Sequence, residues 1–263
     1  LSSNTGNPIK KINSAGKVSL VAEKASVNPT EYLHDWGFIA SKYLTVQMAV
    51  DKQGVLYLAD PNDRVIRKYI NGALALVSGS ETKENSGYVD GVAAQAKFSA
   101  DMTGIAFDKS NNLYVLDDNR IRKIEADGSV VTVLVLSNKC SILDGQTQQP
   151  EKCYFYNLAI DGNSNFLVQE KISNPDPASI NKYSILRQFS ADGQSSVVAG
   201  KASIAPLVDT GKKKTTQFYR PAALTVTPSG IVYVLDGAIH TISEAGQVST
   251  LDKTAESSCV FNN

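Results

Sequence analysis

Short apolar runs rich in Val, Ile, Leu and Tyr recur along the chain, each broken by Gly, Asn, Asp or Pro. Alternating or fully apolar β-branched runs of this length are the signature of strands rather than helices. The clearest stretch, Gly104 to Leu134, reads as four strands: Thr103 to Phe107, Leu113 to Leu116, Arg120 to Glu125 and Val130 to Val135. The breaks between them are turn signals. Ser110-Asn111-Asn112 separates the first two strands, as Lys52-Gln53-Gly54 and Pro228-Ser229-Gly230 do elsewhere. Asn71-Gly72, Asp127-Gly128, Asp192-Gly193 and Ala245-Gly246 separate the last two, and such dipeptides favour the positive φ of antiparallel hairpins.

The same four-strand pattern returns in Met48 to Gly79, in Leu158 to Gly200 and in Ala223 to Leu251, with a partial copy over Pro8 to Ala22. Spacings of 57 residues (Asp51 to Asp108) and 53 (Asp108 to Asp161) suit four-stranded antiparallel meanders stacked side by side, the sequence form of a β-propeller. The expected fold is therefore all-β, a single propeller domain over 1–263. Its parts are a partial blade at 8–22, blades near 44–79, 103–135, 156–200 and 221–251, and a closing segment 252–263. Five blades is the expected count, with six in a longer parent chain as the alternative. The third blade carries extra length over Glu170 to Lys182, whose Asn174-Pro175-Asp176-Pro177 centre reads as a loop.

One set of motifs resembles a known family. Asp90-Gly91 followed by Ala96-Lys97-Phe98, then Leu113-Tyr114-Val115 with Asp117, then Arg120-Ile121-Arg122-Lys123-Ile124, is similar to the NHL repeat. The third and fourth copies depart from it: Leu167 replaces the Tyr, and the paired Arg positions reduce to Arg187 alone or to His240 and Thr241. The resemblance implies a propeller. It narrows function less, because NHL propellers include protein binders, RNA binders, extracellular recognition modules and a few lyases.

Charge excludes some partners. Lys plus Arg and Asp plus Glu both number 26, so no net field gathers nucleic acid or an anionic membrane. Five of the six arginines, Arg64, Arg67, Arg120, Arg122 and Arg187, fall on or beside third strands, where the repeat prescribes them. No nucleic acid partner is expected. The longest near-continuous apolar run, Val130 to Leu136, is far short of the roughly 20 residues of a membrane-spanning helix. The chain opens at Leu1 without an initiator Met, which we read as removal of a leader or a further domain and hence as export. Cys140 and Cys153 flank one linker, a spacing that suits a local disulfide in an exported protein, with two ordinary thiols as the alternative. Cys259 is expected to stay free.

The candidate chemistry lies in carboxylates. Asp51, Asp108 and Asp161 end first strands and are expected to cap the turns that follow. Asp60, Asp117 and Asp236 end second strands near arginines, where ion pairs between strands are expected. The two histidines, His34 and His240, cannot build a three-histidine zinc site, and no nucleophile triad or phosphate loop is readable from spacing. No cofactor is expected, although a carboxylate-bound calcium ion stays open as an alternative.

Topology then selects a face. In such a meander the connections from strand two to three and from strand four to the next blade emerge together, and these are the long segments: Glu23 to Lys42, Ser80 to Met102, Ser137 to Phe155, Glu170 to Lys182 and Lys201 to Arg220. Trp36, Tyr88 and Tyr219 fall there. We therefore expect a non-catalytic recognition or scaffold module that binds a protein or glycan at Trp36, Asp60, Asp117, Glu170, Tyr219, Arg220 and Asp236. The alternative is a calcium-type lyase or lactonase using carboxylates at the channel mouth.

Overall fold

The computed structural model describes residues 9–13, 15–22, 46–61, 63–80, 86–137, 153–172, 183–200, 218, 223–227, 229–236, 238–245 and 247–251. These residues form eighteen strands and no helix, so none is long and apolar enough to cross a membrane. Four antiparallel four-stranded sheets follow one another in chain order. They are β3–β6 (Gln47–Val50, Leu56–Asp60, Val65–Ile70, Ala73–Ser78), β7–β10 (Met102–Phe107, Leu113–Asp117, Arg120–Ile124, Val130–Val135), β11–β14 (Cys153–Ile160, Phe166–Ile172, Tyr183–Phe189, Ser195–Ala199) and β15–β18 (Ala223–Val226, Val232–Asp236, Ala238–Ile242, Val248–Thr250). The partial copy forms a two-stranded hairpin, β1 (Ile9–Ile12) with β2 (Val18–Ala22). The described residues thus supply four complete blades and one hairpin.

Each blade is a meander because its turns leave no alternative. Asn71 and Gly72 both take positive φ (52° and 82°), the combination a tight two-residue hairpin requires. In the second blade only Gly128 is positive, so Asp127 there acts through its side chain, which accepts from the Ser129 amide at 2.9 Å. The first strands β3, β7 and β11 lie side by side, and β11 also neighbours β15. Gly104 explains how closely: a Cβ there would stand 2.7 Å from the Leu158 amide nitrogen, so only glycine lets β7 and β11 meet. Apolar side chains fill the spaces between blades. Ala59, Ile66, Phe98, Met102 and Val115 pack between the first and second, Leu116, Phe155, Val168 and Ile185 between the second and third, and Leu167, Phe218, Val232 and Ile242 between the third and fourth.

Two strand limits differ from the sequence expectation. β11 begins at Cys153, so Cys153, Tyr154 and Phe155 belong to a strand and not to the preceding linker. β12 runs on to Ile172, so Glu170 lies inside a strand, opposite Ile185, and not in the loop that its polar neighbours suggest. Both extensions arise because β11 and β12 pair from Cys153↔Ile172 to Ile160↔Phe166 with one bulge at Asn157, a ladder that supplies partners the local sequence does not advertise.

The acids at the ends of first strands cap their turns as expected. Asp51 accepts from the amides of Gln53 and Val55 at 2.9 and 2.8 Å, and Asp161 from those of Asn163 and Asn165 at 2.8 and 2.9 Å. Asp108 accepts from the amides of Ser110 and Asn112, both at 2.8 Å, and from Asn112 Nδ2 at 2.7 Å. Burial pushes its carboxyl up, but these hydrogen bonds outweigh burial and hold it below the ordinary value of 3.8. A folded-state value below the unfolded one gives stability that is present above pH ~4 and lost as pH falls through the folded value. Asp108→Asn should therefore lower the melting temperature at neutral pH, with the gap to the parent protein narrowing as pH drops from about 5 towards 2. A gap that stays constant across that titration would show that the charge of Asp108 is immaterial.

Candidate functional site

The blade registers place an acid and a cation at one recurring position. Arg67 faces Leu58, Arg122 faces Val115, Arg187 faces Val168 and His240 faces Val234 across the second and third strands. Two residues further along each second strand, on the same side of the sheet, stand Asp60, Asp117, Glu170 and Asp236. Glu170 is thus the third blade's version of Asp117. The signal is in the sequence, since Leu167-Val168-Gln169-Glu170 aligns with Tyr114-Val115-Leu116-Asp117, but the Gln-Glu-Lys run reads locally as the start of a polar loop.

In the second blade this position is fully enclosed. Arg122 Nη1 donates to Asp117 Oδ2 at 3.0 Å, with both side chains wholly buried. Asp117 Oδ1 accepts from the Ser99 amide at 3.0 Å and its hydroxyl at 2.6 Å. Burial drives the Asp117 carboxyl upward, with the Ser99 and Arg122 hydrogen bonds acting against it. The other Nη hydrogens reach outward: Nη1 donates to the Lys97 carbonyl at 2.5 Å, and Nη2 to the Val89 carbonyl at 2.7 Å and to Asp90 Oδ1 at 2.8 Å, while the buried Nε has no acceptor among the described residues. Asp90 in turn accepts from the Thr132 amide and hydroxyl at 2.8 and 2.9 Å. The Phe98 ring, also fully buried, lies 4.9 Å from the Arg122 guanidinium carbon. The Asp-Gly and Ala-x-Phe motifs that precede the blade are therefore the segment that Arg122 fastens to it.

The third blade repeats the pair with a longer acid. Arg187 Nε donates to Glu170 Oε2 at 2.6 Å, and Cys153 Sγ lies 3.1 Å from Glu170 Oε1. In the fourth blade His240 replaces arginine. Its ring meets Phe218 edge-on at 6.2 Å, and its Nδ1 lies 3.1 Å from the Thr250 hydroxyl. In the first blade Arg67 Nη2 pairs with Asp63 Oδ2 at 2.9 Å, while Asp60 Oδ1 accepts from the Asp63 amide at 3.2 Å.

Asp117, Glu170 and Asp236 are buried, at 0%, 2% and 5% exposure, and Asp60 is half-buried. They are brought together as one repeated structural position, not as a shared solvent-facing cluster. Trp36, Tyr219, Arg220, Cys140 and Cys259 lie outside the described residues. Among the described residues no three His, Cys, Asp or Glu side chains are grouped to hold a metal ion.

The structure adds a surface group in which Tyr88, from sequence only one of several linker aromatics, has a defined setting. Tyr88, 41% exposed, lies in the linker between the first two blades. The Arg120 guanidinium carbon sits 3.8 Å above its ring, and its hydroxyl donates to Asp118 Oδ2 at 3.0 Å. Partial burial, and then that hydrogen bond, raise the Tyr88 phenol above its ordinary value. Asp118 and Arg120 flank the β8–β9 connection, so this platform stands on the long-loop face. The Arg122 hydrogen bonds to the Val89 carbonyl and to Asp90, which fix the backbone next to Tyr88, connect it to the buried pair.

This architecture defines a β-propeller of four-stranded blades, with the linker into the second blade held by a buried acid–arginine pair. Residues 88–260 match the profile of the teneurin NHL domain, a span of more than half the chain, and the chain belongs to that family. No curated protein sequence matches it. Among solved structures it is similar to virginiamycin B lyase from Staphylococcus aureus, at 13% identity and a TM-score of 0.50, covering 95% of this chain and 71% of that one. It is also similar to a gluconolactonase from Xanthomonas campestris, at 12% identity and a TM-score of 0.49, covering 93% and 68%. At these identities the likeness is one of fold.

Asp117→Asn should mainly lower stability. Breaking a buried pair costs about 3–5 kcal/mol, and the lower end applies because Asp90 still holds Arg122. The melting temperature should then fall by roughly 6–12 °C for a domain of this size. A normal melt combined with lost partner binding would instead make Asp117 a ligand contact.

Proposed function

We propose that this propeller is a non-catalytic recognition module that binds a partner protein, or a glycan, on its long-loop face. One observation carries the reading: Tyr88, Arg120 and Asp118 form an exposed, mutually braced platform there, while the neighbouring acids are used internally. Tyrosine and arginine are the residue types that dominate binding energy in protein interfaces, and a ring already held in place loses little freedom on binding. NHL propellers commonly mediate protein interactions, which fits the family. Trp36, Tyr219 and Arg220 are proposed as further contacts on the same face. We place the protein outside the cytoplasm, with a Cys140–Cys153 disulfide and a free Cys259. In the chain-entropy model a loop that short contributes about 3 kcal/mol.

The reading is tested by isolating the partner with the intact chain and mapping the contact by crosslinking. Tyr88→Ala should weaken the interaction about tenfold or more, a hot-spot effect, with little change in melting temperature. A contact mapped to the opposite face, near Gln53, Asn111 and Ser229, would overturn it. So would a tightly held stoichiometric calcium ion after dialysis, which belongs to the competing lyase or lactonase reading. Thiol counting on the denatured, unreduced protein should find one thiol, and three would remove the disulfide.

A further inference from the structure

The short-turn sides of two blade interfaces are plugged by rings. Tyr57 of the first blade meets Phe107 of the second edge-on at 5.1 Å, and Tyr114 of the second meets Phe166 of the third at 5.2 Å. Both tyrosines stand six residues beyond a turn-capping acid, Asp51 or Asp108, and the residue at that place after Asp161 is Leu167. Across the next interface, the places held by Phe107 and Phe166 in earlier blades are taken by Val226 and Val232. All of these changes remove ring volume at one point. A cleft of about 480 Å³ lies there, with Leu167, Val226 and Val232 in its floor and Asp161, Gln188 and Ser229 at its rim.

A second device is missing at the same place. Lys52 Nζ donates to the Lys109 carbonyl at 2.6 Å, and Lys109 Nζ to the Gly162 carbonyl at 2.8 Å, so that lysine straps cross the first two interfaces on the short-turn face. The third blade has Gly162 where those lysines stand and cannot extend a strap over the cleft.

We infer that this cleft binds a small phenolic molecule, its ring occupying the volume of the missing tyrosine and its hydroxyl reaching the Gln188 side-chain carbonyl beside Asp161. The second blade shows the arrangement internally, where the Tyr114 hydroxyl lies 3.4 Å from Asp108 Oδ2. At the cleft the equivalent Asp161 Oδ2 accepts from Gln188 Nε2 at 2.7 Å and from Asn165 Nδ2 at 2.9 Å, and Oδ1 from two turn amides, so the acceptor left beside the space is the Gln188 amide carbonyl. A phenol donates to that carbonyl, and its ring meets the aliphatic floor. The volume falls within the range of small-molecule sites, and apolar side chains with a few polar groups at the rim are the usual lining of such sites. The site is on the opposite face from the proposed partner surface and does not depend on it.

The probes are p-cresol and its hydroxyl-free counterpart toluene, titrated into the intact chain by calorimetry or ligand-observed NMR. We expect saturable one-to-one binding of p-cresol, weaker binding of toluene, and a loss of at least about tenfold for p-cresol in Leu167→Tyr, which restores the repeat's ring. The same variant should melt higher than the parent. Because Leu167→Tyr alters a packed position, Ser229→Trp at the exposed rim tests the site independently by blocking entry without touching the floor. The inference is overturned by non-saturable p-cresol binding, by equal affinity for toluene, or by p-cresol binding that survives Ser229→Trp and any folded Leu167→Tyr protein.

Discussion

Removing Asp117 and Arg122 from water is the most demanding electrostatic event among the described residues, and much of the surrounding geometry follows from making it tolerable. An unpaired buried charge costs several kcal/mol, so the pair is stable only when nearly every donor and acceptor around it is satisfied. Ser99, the carbonyls of Val89 and Lys97, and Asp90 complete that set. All of them come from the segment that joins one blade to the next. A linker that would otherwise be free to wander thus becomes part of the second blade's core, and Tyr88, between Gly87 and Val89, is delivered to the surface in one position.

The two faces of the propeller solve different problems. On the short-turn side, strand ends are closed by acids that fold back on their own backbone, and neighbouring blades are strapped by lysines whose acceptors are neutral carbonyls. On the other side, the described connection into the second blade is fastened by the buried Asp117–Arg122 pair, and Tyr88 pairs with Asp118 at its surface. The same fold carries a lyase in one solved structure and belongs here to a family defined by its NHL domain, which locates specificity in the segments the repeat does not dictate.

Strands and turns are legible because their signals are local. Alternation marks Leu113 to Asp117, and Asn71-Gly72 takes the positive φ values its composition demands. The acids Asp51, Asp108 and Asp161 can be recognised as caps from position alone, since an Asx turn is completed within a few residues. Glu170 is misplaced by sequence reasoning because its environment is set by a strand and an arginine 17 residues away, and nothing adjacent announces them. The Tyr88 platform is invisible for a related reason: its arginine, its acid and its ring come from separate segments, and only Arg122's hold on the linker brings them together. The substitution of Leu167 for tyrosine is plain in the sequence. That it leaves a cleft depends on Val226 and Val232 lying across the interface, which only the packing of two blades reveals.

A row of blades that touch mainly their neighbours holds together as a sum of interface strengths, and the row is no stronger than its weakest junction. Between the first and second blades, and again between the second and third, a ring pair and a lysine strap act together. Among the described residues the junction between the third and fourth has neither, and there His240 stands in for an arginine. Thermal opening should therefore begin at that seam, with the fourth blade separating while the two junctions before it are still closed. The seam makes the propeller a body of three firmly joined blades with a fourth attached on softer terms.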